Sequence, residues 1–389
     1  MKLFKSLLVA PATLGLLAPM TAFATEVNLK AISNYSYENS EIDVNTFKTS
    51  PKENLLLSGG EGLVDSDSYD GGFSETTTAS FSLDTVFGAV DGGNDATEAV
   101  TFDYQMNIGL STSFTGEDSL DVTIDVGGST STTVGTGMTE AASIMGFQAT
   151  SDGLSVDGIT YTFPLGGATV VVGDTTDISS TFTGACAYSA FTDYMGNCGT
   201  GNSVGVGGKG VTASIGYAFD SGFSLAGGVS SKEDDILTTE GTDMYGIEAA
   251  YTADSYGVAV AYTMDDGGTA AETTYWGVNA FYAPDSTSLP SISVGVETED
   301  TDGADSKSGY FLGLTWPEVG PGSVSLGLGT NANYTDSEDE YLTYEASYTY
   351  AINDGMTITP GIYIKEFAES EAGKNLDDTG FLVKTSFSF

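Results

Sequence analysis

The 389-residue chain has no arginine and no histidine, so all of its positive charge comes from eleven lysines. Without histidine there is no Ser-His-Asp or Cys-His catalysis, and the usual zinc and iron ligand sets are missing too. An enzyme would need a bare carboxylate pair or a Ser-Lys dyad. No segment suggests either, so the chain reads as a non-enzyme. Without arginine there is also no planar bidentate grip on phosphate or carboxylate. Against the lysines stand 54 acidic residues, a formal net charge of −43, which argues against nucleic acid and anionic lipid surfaces as partners. Proline is scarce at 9, cysteine stops at 2, and no stretch reaches the roughly 18 consecutive apolar residues of a membrane-spanning helix.

What is present has a period of two. In the last eleven residues Phe381, Val383, Thr385, Phe387 and Phe389 fall on one face, and Leu382, Lys384, Ser386 and Ser388 on the other. Such alternation is the mark of a β-strand. A terminal strand this apolar on one side calls for a neighbour and a hydrocarbon medium, which a closed outer-membrane barrel supplies. At the other end, Lys2 and Lys5 precede an apolar run from Leu7 to Leu17 and the small-residue site Ala22-Phe23-Ala24. This is the pattern of a secretory signal peptide over residues 1–24, with the mature chain expected from Thr25.

Residues 25–75 are polar and irregular, and read as a periplasmic or lumen-side extension. Within them Asp65, Asp67, Asp70 and Gly71 suggest a calcium loop, but its twelfth position is Thr76 where glutamate is required. No nine-residue Gly-Asp repeat occurs, which excludes a calcium-binding β-roll.

From residue 76 onward the alternation hardly stops. The first strand sets Ala79, Phe81, Leu83, Phe87 and Ala89 against Ser80, Ser82, Asp84 and Gly88. The second sets Phe102, Tyr104, Met106, Ile108, Leu110 and Phe114 against Asp103, Gln105, Asn107, Ser111 and Ser113. The third sets Leu120, Val122, Ile124 and Val126 against Asp121, Thr123 and Asp125. Thirteen more follow near residues 157–164, 167–173, 210–219, 222–230, 243–252, 255–264, 273–283, 290–298, 308–316, 322–330, 341–351, 355–364 and 379–389. Short connections alternate with long ones throughout, as expected where periplasmic turns are tight and external loops are long. The fold class is therefore all-β: a 16-stranded antiparallel transmembrane barrel spanning residues 76–389. A barrel of that size has more cross-section than side chains can fill, so a water-filled pore follows.

At this point the chain resembles the cyanobacterial outer-membrane porins with a carbohydrate-selective-porin type barrel. The likeness rests on the leader MKLFKSLLVAPATLGLLAPMTAFATEVNL and on SFSLDTVFGA and MNIGLSTSFTGEDSLDVTIDVG, which resemble that group's first three barrel strands. The Phe-Ser-Asp and Trp-Ala spacing of that group's S-layer-homology module does not appear between Glu26 and Glu75. The resemblance implies a passive channel in the outer membrane of a cyanobacterium, carrying inorganic ions and small hydrophilic solutes, and is compatible with a homotrimer. It also implies contact with lipopolysaccharide and recognition of the strand ending at Phe389 by barrel-assembly machinery.

Several constellations bear on such a channel. The third long loop, Asp174 to Lys209, has only Asp174, Asp177, Asp193 and Lys209 as charges and holds both cysteines, Cys186 and Cys198. In an exported chain an even cysteine count predicts a disulfide, and its low charge fits a loop that folds inward and sets a constriction. Period-two bookkeeping points Asp84, Asp103, Asp121, Asp125, Glu248, Glu297 and Glu345 at the lumen as a ring favouring cations, opposed mainly by Lys384 and, near the outer mouth, Lys365. The other long loops form an acidic rim, among them Asp265-Asp266, Glu299-Asp300 and Asp377-Asp378. Solvated charge accounts for them, and loosely bound Ca²⁺ or Mg²⁺ is the only cofactor they suggest. The competing expectation is a structural or surface-anchoring barrel plugged by residues 25–75.

Overall fold

A computed structural model describes residues 77–92, 99–128, 139–236, 238–286, 288–367 and 377–389. The leader, the polar extension and the motif at Asp65, Asp67 and Asp70 lie outside these residues. The strands are β1 (Thr77–Asp91), β2 (Val100–Thr112), β3 (Ser119–Gly127), β4 (Ser155–Leu165), β5 (Ala168–Asp174), β6 (Val211–Ala218), β7 (Phe223–Ser231) and β8 (Asp243–Thr252). The second half comprises β9 (Tyr256–Asp265), β10 (Thr273–Tyr282), β11 (Ser291–Thr301), β12 (Lys307–Val319), β13 (Gly322–Thr330), β14 (Leu342–Asn353), β15 (Met356–Lys365) and β16 (Asp378–Ser388). Every expected strand is present, each bound within three residues of its expected one.

All pairings are antiparallel between sequence neighbours, and β1 pairs with β16, so the sheet closes on itself. Closure leaves no strand edge with unpaired amides, the arrangement hydrocarbon demands of a sheet. At the seam the backbone N–H of Phe389 donates to the Phe81 carbonyl and Phe81 donates back to Phe389, at 3.0 and 2.9 Å. Their rings stack with centroids 5.6 Å apart. Among the described residues no helix is long and apolar enough to cross a membrane.

The two faces of the wall differ as the alternation dictates. Phe87, Val278, Val294, Leu312, Ile362 and Phe381 are exposed on one parity. The opposite parity carries buried polar groups such as Ser214, Thr263, Asn279, Ser293 and Thr343. One region departs from this rule: Val86, Val90, Tyr363 and Leu382 are buried apolar residues on the polar face. The cause is the second long connection, where a short helix α1 (Glu140–Ile144) brings Ala141, Ala142, Ile144 and the following Phe147 against them.

The alternation of connection lengths breaks once. Residues 302–306, between β11 and β12, form a five-residue turn shorter than the 283–290 connection before it. Glu299 and Asp300, expected in an external loop, instead extend β11, because Glu299 pairs in register with Lys307 and bonds its ammonium at 2.8 Å. Asp378 also leaves the expected solvated rim: it is the first residue of β16 and is buried.

Among the short turns, that between β2 and β3 is organised by one carboxylate. Asp118 accepts from the Phe114 and Thr115 amides, the Ser113 and Thr115 hydroxyls and the Tyr161 phenol. The Tyr161 hydrogen bond, then those from Thr115 and Ser113, hold its carboxyl well below the usual carboxylate range. A depressed folded-state pKa stabilises the fold fully above the unfolded value near pH 4 and loses that contribution as pH falls further. Asp118→Asn is therefore expected to lower the barrel's unfolding temperature at neutral pH, with the gap from the parent shrinking between pH 4 and pH 2. Heat-modified gel migration across that range checks it, and a gap independent of pH would refute the assignment.

Candidate functional site

Residues 175–210 connect β5 to β6 and contain two short 3-10 segments, Ile178–Thr181 and Asp193–Gly199. Cys186 and Cys198 are disulfide-bonded, with their α-carbons 5.9 Å apart. Residues with so little regular structure must find partners for their amides elsewhere. They find them on the polar face of the barrel. Glu248 of β8 accepts from the Thr183 and Gly184 amides, Asn279 of β10 from Ala185, and Ser293 of β11 from Ala187. Glu297 of β11 accepts from the Ser203 amide and hydroxyl and from the Asn202 side chain.

The most heavily engaged acceptor is Glu345 of β14. It receives the Tyr188 phenol at 2.8 Å, the Phe191 amide at 2.7 Å, and the Thr192 amide and hydroxyl at 2.8 and 2.6 Å. Burying a carboxylate is costly unless hydrogen bonds replace its water, and here four do. The apolar side chains Phe182, Tyr188, Met195 and Val204 pack beside the disulfide against Ala261 and Phe311. Contact this close requires missing side chains on the wall. A β-carbon at Gly277 would overlap Ser203, at Gly295 the Cys198 carbonyl, at Gly313 the Tyr188 ring and at Gly361 the Phe191 ring.

The second connection covers a neighbouring part of the same face. Thr139 caps α1 by accepting from the Ala142 amide, and its hydroxyl bonds Asp103. Phe191 joins the cluster of Val86, Ile144, Tyr363 and Leu382, so the two connections meet. Between them and the wall lies a cleft of about 510 Å³. Its wall side includes Ser82, Asp84, Gln105, Asn107, Lys384 and Ser386, and its other side Ser189, Thr192, Asp193 and Asn197. Lys384 and Asp84 face each other across the β1–β16 pair at 3.4 Å.

The seven acids expected at the lumen all lie on the polar parity, but they do not form one ring. Glu248, Glu297 and Glu345 are buried under residues 175–210 and hold that segment. Asp103 binds Thr139, and Asp125 accepts from Asn107 at 2.7 Å. Asp121 accepts from Ser119 and lines a second cleft with Thr160 and Thr162. Of the seven, only Asp84 borders the main cleft, where Asp193 joins it. Asp177 bonds through its carbonyl to the Ser180 amide at the start of the segment. Lys365 lies over the rings of Tyr194 and Phe367 and does not oppose the acids. At the end of the segment, Lys209 pairs with Asp265 at 2.7 Å. Among the described residues no three His, Cys, Asp or Glu side chains are grouped to hold a metal ion.

No protein-family model matches the chain, and no curated protein does. Solved structures do. One is an anion-selective porin from Comamonas acidovorans, 14% identical with a TM-score of 0.60, covering 81% of this chain and 99% of that one. OprB from Pseudomonas putida is 12% identical with a TM-score of 0.59, covering 81% and 94%. A loop-deletion mutant of OmpT, an outer membrane protein of Vibrio cholerae, is 10% identical with a TM-score of 0.57, covering 81% and 99%. The fold is thus the closed barrel found in outer-membrane porins.

Proposed function

We propose that the chain is a passive diffusion channel of a Gram-negative-type outer membrane, with its apolar face toward hydrocarbon and its polar face around water. Residues 175–210 lie in the lumen and set the constriction. The observation that carries this reading is the asymmetric fastening of that segment. Its amides are spent on Glu248, Asn279, Ser293, Glu297 and Glu345, while the cleft on its other side is lined by hydroxyls, amides and a few charges. Hydroxyl and amide groups suit hydrated ions and small hydrophilic solutes. Small solutes and outer-membrane lipid are the partners, and the strand ending at Phe389 is the natural element for assembly machinery to engage.

Selectivity follows from the charges left accessible. Asp84, Asp193 and Asp354 outnumber Lys384 in the cleft, and the net charge of −43 adds a negative field. With three glutamates sequestered, the preference for cations is moderate. A unit charge about 4 Å from a permeating ion in water is worth about 1 kcal/mol, roughly fivefold in relative permeability. Reversal potentials across a planar bilayer in a KCl gradient test this directly. Asp193→Asn is expected to lower the K⁺ over Cl⁻ ratio and Lys384→Met to raise it, each by up to about fivefold. Anion preference in the parent protein, or no response to either substitution, would overturn the selectivity. A purified barrel that never conducts would favour a plugged structural barrel instead.

A further inference from the structure

Glu297 of β11, Gly309 of β12 and Asn333, just past the end of β13, stand in one row across the wall. Glu297 pairs in register with Gly309. The ladder that sets Phe311 against Gly329 would place residue 332 opposite Ser308, but Tyr334 takes that place, with reciprocal backbone bonds of 2.8 and 2.9 Å. The chain after Thr330 therefore bulges before it rejoins β12, and a bulge re-aims a side chain. Here it aims Asn333, whose Nδ2 donates to Oε1 of Glu297 and to Oε2 of Glu299, each at 3.3 Å. A β-carbon at Gly309 would stand 2.5 Å from the Asn333 Oδ1 and 2.6 Å from the Thr330 hydroxyl. The glycine is what lets this side chain reach across β12.

Both acceptors are engaged elsewhere as well. Glu297 is buried and takes the Asn202 side chain at 2.8 Å and the Ser203 amide and hydroxyl at 2.9 and 2.7 Å. Glu299 pairs with Lys307 at 2.8 Å. A primary amide carries two N–H donors, one for each carboxylate, which neither serine nor aspartate supplies. Residues 331–341 and 175–210 each follow an odd-numbered strand of the closed sheet, so they lie on the same side of the wall. We infer that Asn333 is a positioning residue that makes the connection between β13 and β14 a latch on residues 200–204. Movement of the exposed turn from Asp336 to Glu340 passes through Asn333 and Glu297 to that segment. The effect on conduction rests on the proposed placement of residues 175–210 as the constriction, whereas the latch itself does not.

The experiment is amide hydrogen exchange of the full chain folded in detergent, read by mass spectrometry on peptides covering residues 199–206 and 187–193, with single-channel recording beside it. Asn333→Ala is expected to speed exchange in 199–206 by about tenfold, the effect of losing one ordinary hydrogen bond to a charged group. Gly309→Ala, which displaces an intact Asn333, is expected to do the same. Residues 187–193, held by Glu345, are expected to exchange at the parent's rate, and gel mobility is expected to remain that of the closed barrel. Both variants are expected to add brief substates to the current. Parent-like exchange of 199–206 in Asn333→Ala would overturn the latch, and equal acceleration of both peptides would overturn it in favour of general loosening. Faster exchange confined to 199–206, with the current unchanged in these variants and in Glu345→Ala, would uphold the latch and overturn the constriction instead. If Asn333→Ala fails to fold, Gly309→Ala decides alone.

Discussion

Glu345→Ala is expected to give the largest functional change of any single substitution in this barrel. The carboxylate lies on β14, where the ladder to β13 and β15 holds it, and it gathers four donors from Tyr188, Phe191 and Thr192. Truncation strands these donors in a site closed to bulk water. Hydrogen bonds to a charged group contribute about 1.5 to 3 kcal/mol each, and they do not add fully. A loss of several kcal/mol falls almost entirely on the segment and not on the barrel. Tyr188 to Thr192 then move, and the cleft they border with Asp84, Asn107 and Lys384 changes width. Single-channel recording should show a higher main conductance with frequent substates, and gel mobility of the folded barrel should be unchanged. Glu345→Gln, which keeps one acceptor oxygen, should fall between. A variant that conducts like the parent would mean that this acceptor does not position the constriction.

The second large effect is expected on removing the disulfide with Cys186→Ala and Cys198→Ala together. Asn197 and Cys198 both have left-handed backbone, with φ of 59° and 50°, a conformation that costs non-glycine residues on the order of 1 kcal/mol or more each. The disulfide closes this turn and, in the chain-entropy picture, stabilises it by about 3 kcal/mol. Without it the Asn197–Cys198 turn relaxes, and the Cys198 carbonyl leaves its place against Gly295. The expected outcome is a larger, noisier conductance and faster proteolysis within residues 186–198. Because both cysteines are buried, the parent should resist reductant while folded and become sensitive once heated. Identical channel behaviour in parent and double variant would show that the disulfide only pins the segment covalently and does not shape the opening.

The barrel was legible because period-two segregation and turn residues are local signals. Each strand announces itself within about ten residues, as in Phe381 to Phe389, and closure follows from an even count with no exposed edge. The turn at 302–306 and Asp378 departed from expectation, the first because the Glu299–Lys307 pairing that lengthens β11 and β12 depends on two separated residues meeting. The placement of the connection between β5 and β6 was half legible. Low charge and two cysteines marked residues 174–209, but nothing local revealed which wall they would grip. That Glu248, Glu297 and Glu345 share the polar face was readable, whereas their engagement as amide acceptors depends on contacts 64 to 157 residues away. The signal that carries more is a row of small residues on the polar parity. Gly277, Gly295, Gly313 and Gly361 stand where serine, threonine or an acid would otherwise face water, and a row of absent side chains means something lies against it. The packing of α1 on Val86 and Leu382 had its own trace, for aliphatic residues on a water-facing parity need a cover.

The proposed channel requires one parity of the wall to face water and the other hydrocarbon. Single cysteines tested with a charged, membrane-impermeant thiol reagent during bilayer recording examine it most directly, since both native cysteines are bonded to each other. Reagent added to Ser386→Cys or Asn107→Cys, on the polar face and lining the cleft, should step the current down within each channel. The same reagent on Phe381→Cys, on the exposed apolar face, should leave it unchanged. Block at Phe381→Cys with no effect at Ser386→Cys and Asn107→Cys would contradict the claim.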